Sequence, residues 1–136
     1  VSWLLDTNIL SELRKGGRAH PRVTAWYASI PGDALFVSVL VLGEIRKGAE
    51  MLRGRDPVQA GVIDAWLAQI RMTIGHRLLA FDAACADAWG RIAAVRSVPA
   101  EDAMMVATAQ VHGLTLVTRN KRHAEGLGVS VLDPFE

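Results

Sequence analysis

Cysteine occurs once in this chain, at position 85, so no internal disulfide can staple the fold. Cys85 lies in an alanine-rich helical pattern and reads as a small core residue. Long apolar runs are missing as well. The longest nearly continuous one, Ala34 to Leu42, is interrupted by Ser38 and is too short to span a bilayer, so no membrane segment is expected. No charged start leads into an apolar stretch with a cleavage site, which predicts no secretion signal and, with the unpaired thiol, a reducing, cytoplasmic setting. Nor does one sign of charge dominate: fifteen Lys and Arg stand against fourteen Asp and Glu, a net charge of +1. That balance neither favours nor excludes a polyanionic partner, because such binding depends on where charge clusters. Internal repeats, low-complexity tracts and linker-like stretches are also absent. What remains is a chain of 136 residues, 51% apolar, able to bury one core, and residues 1–136 are expected to form one domain.

The organising stretch is Leu4-Leu5-Asp6-Thr7-Asn8. A short apolar strand stops at a carboxylate, and a helical pattern in Ile9, Leu10 and Leu13 follows, which is the opening of an α/β unit. The spacing predicts helices over 7–15 (ended by Gly16-Gly17), 21–30, about 40–53, 58–73, 82–96 with Asp82 as N-cap, and 99–112 ended by Gly113. Strands are expected at the start of the chain and over 34–39, 77–81, 114–118 and 129–132. Strands separated by helices must pair in parallel through right-handed crossovers. The predicted fold is therefore α/β, a parallel five-stranded sheet flanked by helices on both faces. Asp6, Ser38 and Thr118, each closing an apolar strand, should then emerge at one edge, where open α/β sheets place their chemistry.

Three carboxylates stand out. Asp6 ends the first strand, Glu44 lies early in the helix after the second, and Asp102 is in the first turn of a helix whose N-terminus must point back to the same edge. Asp6 and Asp102 also read as plain helix caps. Glu44 does not, since an acid set between Leu42 and Ile45 needs a charge partner or a metal. Acids forced together repel and partly protonate unless a cation neutralises them, and an all-oxygen set suits Mg²⁺ or Mn²⁺ with retained waters. Such an ion activates water for hydrolysis of a phosphodiester. The polar strand end Thr118-Arg119-Asn120-Lys121-Arg122-His123 is either a solvated loop or, beside a metal, a holder of phosphates. Arg14-Lys15 and Arg46-Lys47 extend that basic rim or remain ordinary helix surface; Arg46 and Lys47 lie off the apolar stripe, which predicts exposure.

In order and spacing these pieces resemble a PIN domain over essentially the whole chain. They are Leu4 to Asn8, Ser38 to Gly48 with Glu44-Ile45-Arg46-Lys47-Gly48, Glu101 to Ala109, and Leu116-Val117-Thr118-Arg119-Asn120. The Glu-Ile-Arg-Lys-Gly form and the closing Gly126 to Val129 with Asp133-Pro134-Phe135 are most similar to the VapC/FitB-type toxins of bacterial toxin–antitoxin pairs. The resemblance implies a Mg²⁺- or Mn²⁺-dependent ribonuclease with Asp6, Glu44 and Asp102 as catalytic, metal-binding acids. Thr7 and Asn8 would orient Asp6 or a metal-bound water, with Ser38, Thr118, Arg119, Asn120 and His123 lining the site. It further implies an RNA substrate, a cognate antitoxin that occupies the groove, and a homodimer that enters a larger assembly with the antitoxin. One departure is plain. The family carries a fourth acid a few residues after Thr-Arg-Asn, and here those positions are His123 and Ala124. A second metal loses more by this than the first, and Glu125 replaces the acid only if the loop is rearranged.

Two rival readings follow. One is a PIN-fold module of weak or no activity that binds RNA or a protein. The other is a different Mg²⁺ phosphotransfer enzyme on a parallel sheet, although a haloacid-dehalogenase-like phosphatase needs a second Asp where Asn8 stands, and a phospho-accepting receiver leaves Glu44 idle. His20, His76 and His112 lack ligand spacing and read as surface or helix-end residues, and Trp26, Trp66 and Trp89 fall on apolar helical stripes.

Overall fold

Trp3–Leu5 form strand β1, which needs no more than three residues because both of its faces are covered. The computed structural model describes all residues, Val1–Glu136. Strands β2 (Leu35–Ser38), β3 (Leu78–Leu79), β4 (Thr115–Val117) and β5 (Val131–Leu132) complete one sheet in the order β3-β2-β1-β4-β5, with every pairing parallel. Helices α1 (Thr7–Leu13), α2 (Pro21–Ala28), α3 (Val39–Arg53), α4 (Pro57–Ile74), α5 (Ala83–Val95), α6 (Ala100–His112) and α7 (Lys121–Ala124) make the crossovers.

Alternation along the central strands divides the core. Leu5, paired with Val117, packs with Leu35, Ile9 of α1 and Val23 of α2 on one face, where Trp3 meets Trp26 edge-on at 6.1 Å. Leu4, paired with Leu116, joins the larger core on the other face with Val41 and Ile45 of α3, Ile63 and Leu67 of α4, Ile92 of α5 and Val106 of α6. Helices thus cover both faces, as the alternation of strand and helix patterns predicts. Trp26, Trp66 and Trp89 are half-buried members of these cores, and Cys85 is buried. No helix is long and apolar enough to cross a membrane.

The elements depart from the sequence reading at their ends. The first helix stops at Leu13, and Gly16–Arg18 turn as a separate 3₁₀ segment, because Gly16 takes φ 60°. The strand expected over 77–81 pairs only at Leu78 and Leu79, at the sheet edge, where one neighbour fixes it. Arg77 before it instead caps backbone carbonyls of Leu35 and Thr73. Helix α7 was not foreseen, being a single turn without apolar periodicity. Asp82 does cap α5, accepting from Cys85 N at 3.0 Å, and Gly113 ends α6 in the left-handed region at φ 64°.

Two backbone bonds beyond the strands set the functional edge. Asp6 N donates to Val117 O and Thr118 N to Leu132 O, both at 3.0 Å. The ladder therefore runs one residue past β1 and β4 and sets Asp6 beside Thr118.

Candidate metal centre

Asp6 is 6% exposed and fully engaged by its neighbours. Its Oδ1 accepts from Thr7 N at 2.8 Å, the N-cap bond of α1, and its Oδ2 accepts from Thr118 Oγ1 at 2.7 Å. Asn8 Nδ2 reaches Thr118 Oγ1 at 3.3 Å and, more weakly, Asp6 Oδ2 at 3.5 Å, while Asn8 Oδ1 accepts from Arg119 N. Asn120 N closes the network on Thr118 Oγ1 at 3.0 Å. Asp6 is therefore both a helix cap and the floor of a cleft; the two readings of the sequence are not exclusive.

That cleft, of about 450 Å³, is lined by polar side chains and one proline, with Asp6, Glu12, Glu44, Glu101 and Asp102 supplying its acids, Glu12 already paired with Lys15. Helix α3 delivers Glu44 from above the end of β2, and the first turn of α6 delivers Glu101 and Asp102. Burial raises the Asp6 carboxyl above its ordinary value; the bonds from Thr118 and Thr7 oppose the rise and the charges of Asp102 and Glu101 add to it. Glu44 is pushed up to about 7, first by burial and then by the negative charges of Asp6 and Glu101. The neighbouring Thr7 hydroxyl opposes that shift, although it makes no hydrogen bond of normal geometry.

The acids surround the cleft rather than meet at a point: no three Asp, Glu, His or Cys side chains converge closely enough to bind one ion by themselves. The donor set nonetheless fits a hard divalent cation. Every acid is an oxygen donor, two are protonated more readily than usual, first through burial and then through the negative charge of their neighbours, and the buried Thr7 Oγ1 adds a neutral oxygen without a protein partner. A polar cleft of this size leaves room for the waters that Mg²⁺ and Mn²⁺ retain.

The other residues singled out from the sequence divide. Thr7, Asn8 and Asn120 line the cleft, whereas Thr118, 1% exposed, supports Asp6 from beneath. Ser38 does not line it. Its side chain is buried and caps α3, accepting from Leu40 N, because the strand-to-helix turn needs an N-cap there. Arg119 also leaves the cleft, its guanidinium stacking over Phe135 at 4.3 Å. His123, expected to line the site, does not itself line the cleft but is bonded through Nδ1 to Asp102 Oδ2 at 2.7 Å. Glu125 pairs with Lys121 instead of replacing an acid of the cleft.

The basic rim is narrower than the sequence suggests. Arg14 lies over Trp66, and Arg46 pairs with Asp64 of α4 at 2.5 Å. Lys15 alone of these cations lines the cleft, held by Glu12 at 2.9 Å. Glu12 and Glu101 were missed. Glu101 adjoins Asp102, and the pair was visible in sequence, but consecutive helical positions diverge by about 100° and gave no reason to join both to one site. Glu12 sits between Leu10 and Leu13 on α1, where its 7% exposure comes from the fold of residues 15–20 over it, His20 N donating to its Oε2.

This parallel sheet, in the order β3-β2-β1-β4-β5 with acids at its strand-end edge and at the start of α6, is matched by the PIN domain model over residues 3–126; the chain belongs to the PIN-domain family. Among its relatives, toxin FitB of Neisseria gonorrhoeae is 30% identical over 139 residues, covering 97% of each chain. VapC ribonuclease Y4jK of Sinorhizobium fredii is 28% identical over 142 residues, covering 98% of this chain and 97% of its own. The crystal structure of FitAcB from N. gonorrhoeae superposes with a TM-score of 0.88 at 29% identity, over 98% of this chain and 99% of the other.

Proposed function

We propose that this chain is a divalent-metal-dependent endoribonuclease, acting in the cytoplasm as the toxin of a toxin–antitoxin pair and held by a cognate antitoxin, as a homodimer or within a larger assembly with it. The observation that carries the reading is the single cleft in which Asp6, Glu44, Glu101 and Asp102 stand together at the strand-end edge. The names of its relatives, a toxin and a VapC ribonuclease, support the same activity and the same kind of partner.

Asp6, Glu44 and Asp102 would hold Mg²⁺ or Mn²⁺, which supplies an acidified water and neutralises charge on the phosphodiester. The protein's own part is to aim those acids. Thr118 and the Thr7 amide fix both oxygens of Asp6, so this carboxylate needs no reorganisation when substrate arrives. Asn8 ties Asp6 to the backbone of Arg119 and so couples β1 to the polar segment after β4. Lys15 stands at the cleft wall as a cation for the phosphate backbone, and Asn120 offers an uncharged polar contact.

The test is cleavage of total bacterial RNA by the purified protein with Mg²⁺, Mn²⁺ or EDTA, beside Asp6→Asn. Discrete fragments that require metal and vanish in the variant support the reading. Intact RNA under every metal overturns it and favours a module that only binds RNA or protein, the rival that His123 in place of an acid suggests.

A further inference from the structure

Asp102, like Asp6, takes its support from a separate piece of chain. Its Oδ2 is 2.7 Å from His123 Nδ1, and its Oδ1 carries no hydrogen bond from the protein. A carboxylate can only accept, so Nδ1 bears the hydrogen and donates it. The imidazole is 48% exposed, and an exposed ring held in one rotamer needs a fixed backbone beneath it.

Helix α7 cannot supply that rigidity alone, since four residues form one turn with little cooperativity. Arg96, just beyond the end of α5, does. Its Nη1 donates to Glu125 O at 2.8 Å, and its Nη2 donates to His123 O at 2.9 Å and Arg122 O at 3.3 Å. One guanidinium therefore satisfies three carbonyls at the C-terminal end of α7, where a cation also suits the helix dipole. Gly126 follows at φ 79°, turning the chain away beside Arg96. At its other end the segment is tied to Asp6, because Asn120 N donates to Thr118 Oγ1, and His123 N donates to Asn120 O at 3.0 Å. Residues 118–123 thus form a bracket with Asp6 at one foot and Asp102 at the other.

We propose that Arg96 and His123 are positioning residues: Arg96, outside the cleft, fixes α7 so that His123 holds Asp102 by Oδ2 and presents Oδ1 to the metal ion. This rests on the metal-dependent reading above. The imidazole acts as a donor to an acid of the cleft, and it leaves the acid count of the cleft unchanged.

The experiment is titration of the metal-free protein with Mn²⁺, reading free Mn²⁺ by electron paramagnetic resonance without RNA. His123→Ala and Arg96→Ala should each weaken binding by about tenfold, the lower range for loss of an outer partner of a metal ligand. His123→Asn, whose amide nitrogen takes the place of Nδ1, should recover most of that loss. Nitrogen NMR should show the His123 Nδ1 hydrogen bonded in the wild type, and the signal should move to that of a free histidine in Arg96→Ala. Wild-type affinity in His123→Ala, or equal weakening in His123→Asn and His123→Ala, overturns the proposal while leaving the metal site standing. Where Arg96→Ala is too unstable to titrate, Arg96→Gln replaces it, and unchanged affinity there removes Arg96 from the bracket. If the wild type binds no Mn²⁺, it is the metal-dependent reading that fails.

Discussion

At the scale of single residues, the burial of acids in the cleft, with the negative charge of their neighbours added to it, governs behaviour without metal. Glu44 titrates near 7 in the folded protein against an ordinary value of 4.5, so between those two pH values the folded state binds the extra proton. Stability of the metal-free protein should therefore fall as pH rises through that window, and Asp6, raised by burial, adds to the same trend. Urea denaturation in EDTA from pH 5 to 8 should show the decline, Glu44→Gln should flatten it, and Mn²⁺ should reverse it. Asp6→Asn separates stability from chemistry. Exchanging a buried acid for its amide should change stability by no more than about 1 kcal/mol, since one lost hydrogen bond is offset by lost repulsion, yet it should reduce metal-dependent RNA cleavage to background. Thr118→Val leaves Asp6 without its shortest bond, and cleavage should drop by about 10–100-fold, measured as initial rates at saturating Mn²⁺.

At the scale of elements, the termini of helices place the chemistry. Helix α6 carries Asp102 in its first turn and ends at Gly113, whose φ of 64° is open only to glycine at low cost. Gly113→Ala should destabilise the protein by about 1–2 kcal/mol in urea denaturation and leave Mn²⁺ affinity unchanged, because the strain lies thirteen residues of helix away from the cleft. Helices α3 and α4 are pinned by a surface cluster in which Asp64 accepts from Arg53 and Arg46 and is held down to about 2. That cluster explains why Arg46 does not serve the cleft, although its sequence neighbourhood, Glu44-Ile45-Arg46-Lys47, suggests it.

At the scale of the molecule, charge is balanced overall and divided locally. Acids fill the cleft, Lys15 is the cation on its wall, and the basic segment 119–123 lies to one side. RNA should bind the metal-free protein weakly and gain about tenfold or more in affinity when Mg²⁺ enters, measured by fluorescence anisotropy with the inactive Asp6→Asn protein as control.

The sequence alone determined the architecture and the principal acids. Five apolar segments separated by helical patterns leave parallel pairing as the solution, and parallel pairing sends every strand end to one edge. Asp6, Glu44 and Asp102 were legible because Asp6 and Glu44 interrupt apolar patterns and Asp102 opens a helix, at points that this topology brings together. Only the tertiary structure decided which side chain meets which. Ser38 turned from cleft to cap, Arg119 from phosphate to Phe135, and His123 from a residue lining the site to the partner of Asp102. The last two of those choices rest on contacts between separate segments, as does the Asp6–Thr118 bond across 112 residues. Local periodicity reports which face of an element is buried; it carries no information about the distance between two polar side chains on different elements, and a hydrogen bond is decided by fractions of an ångström.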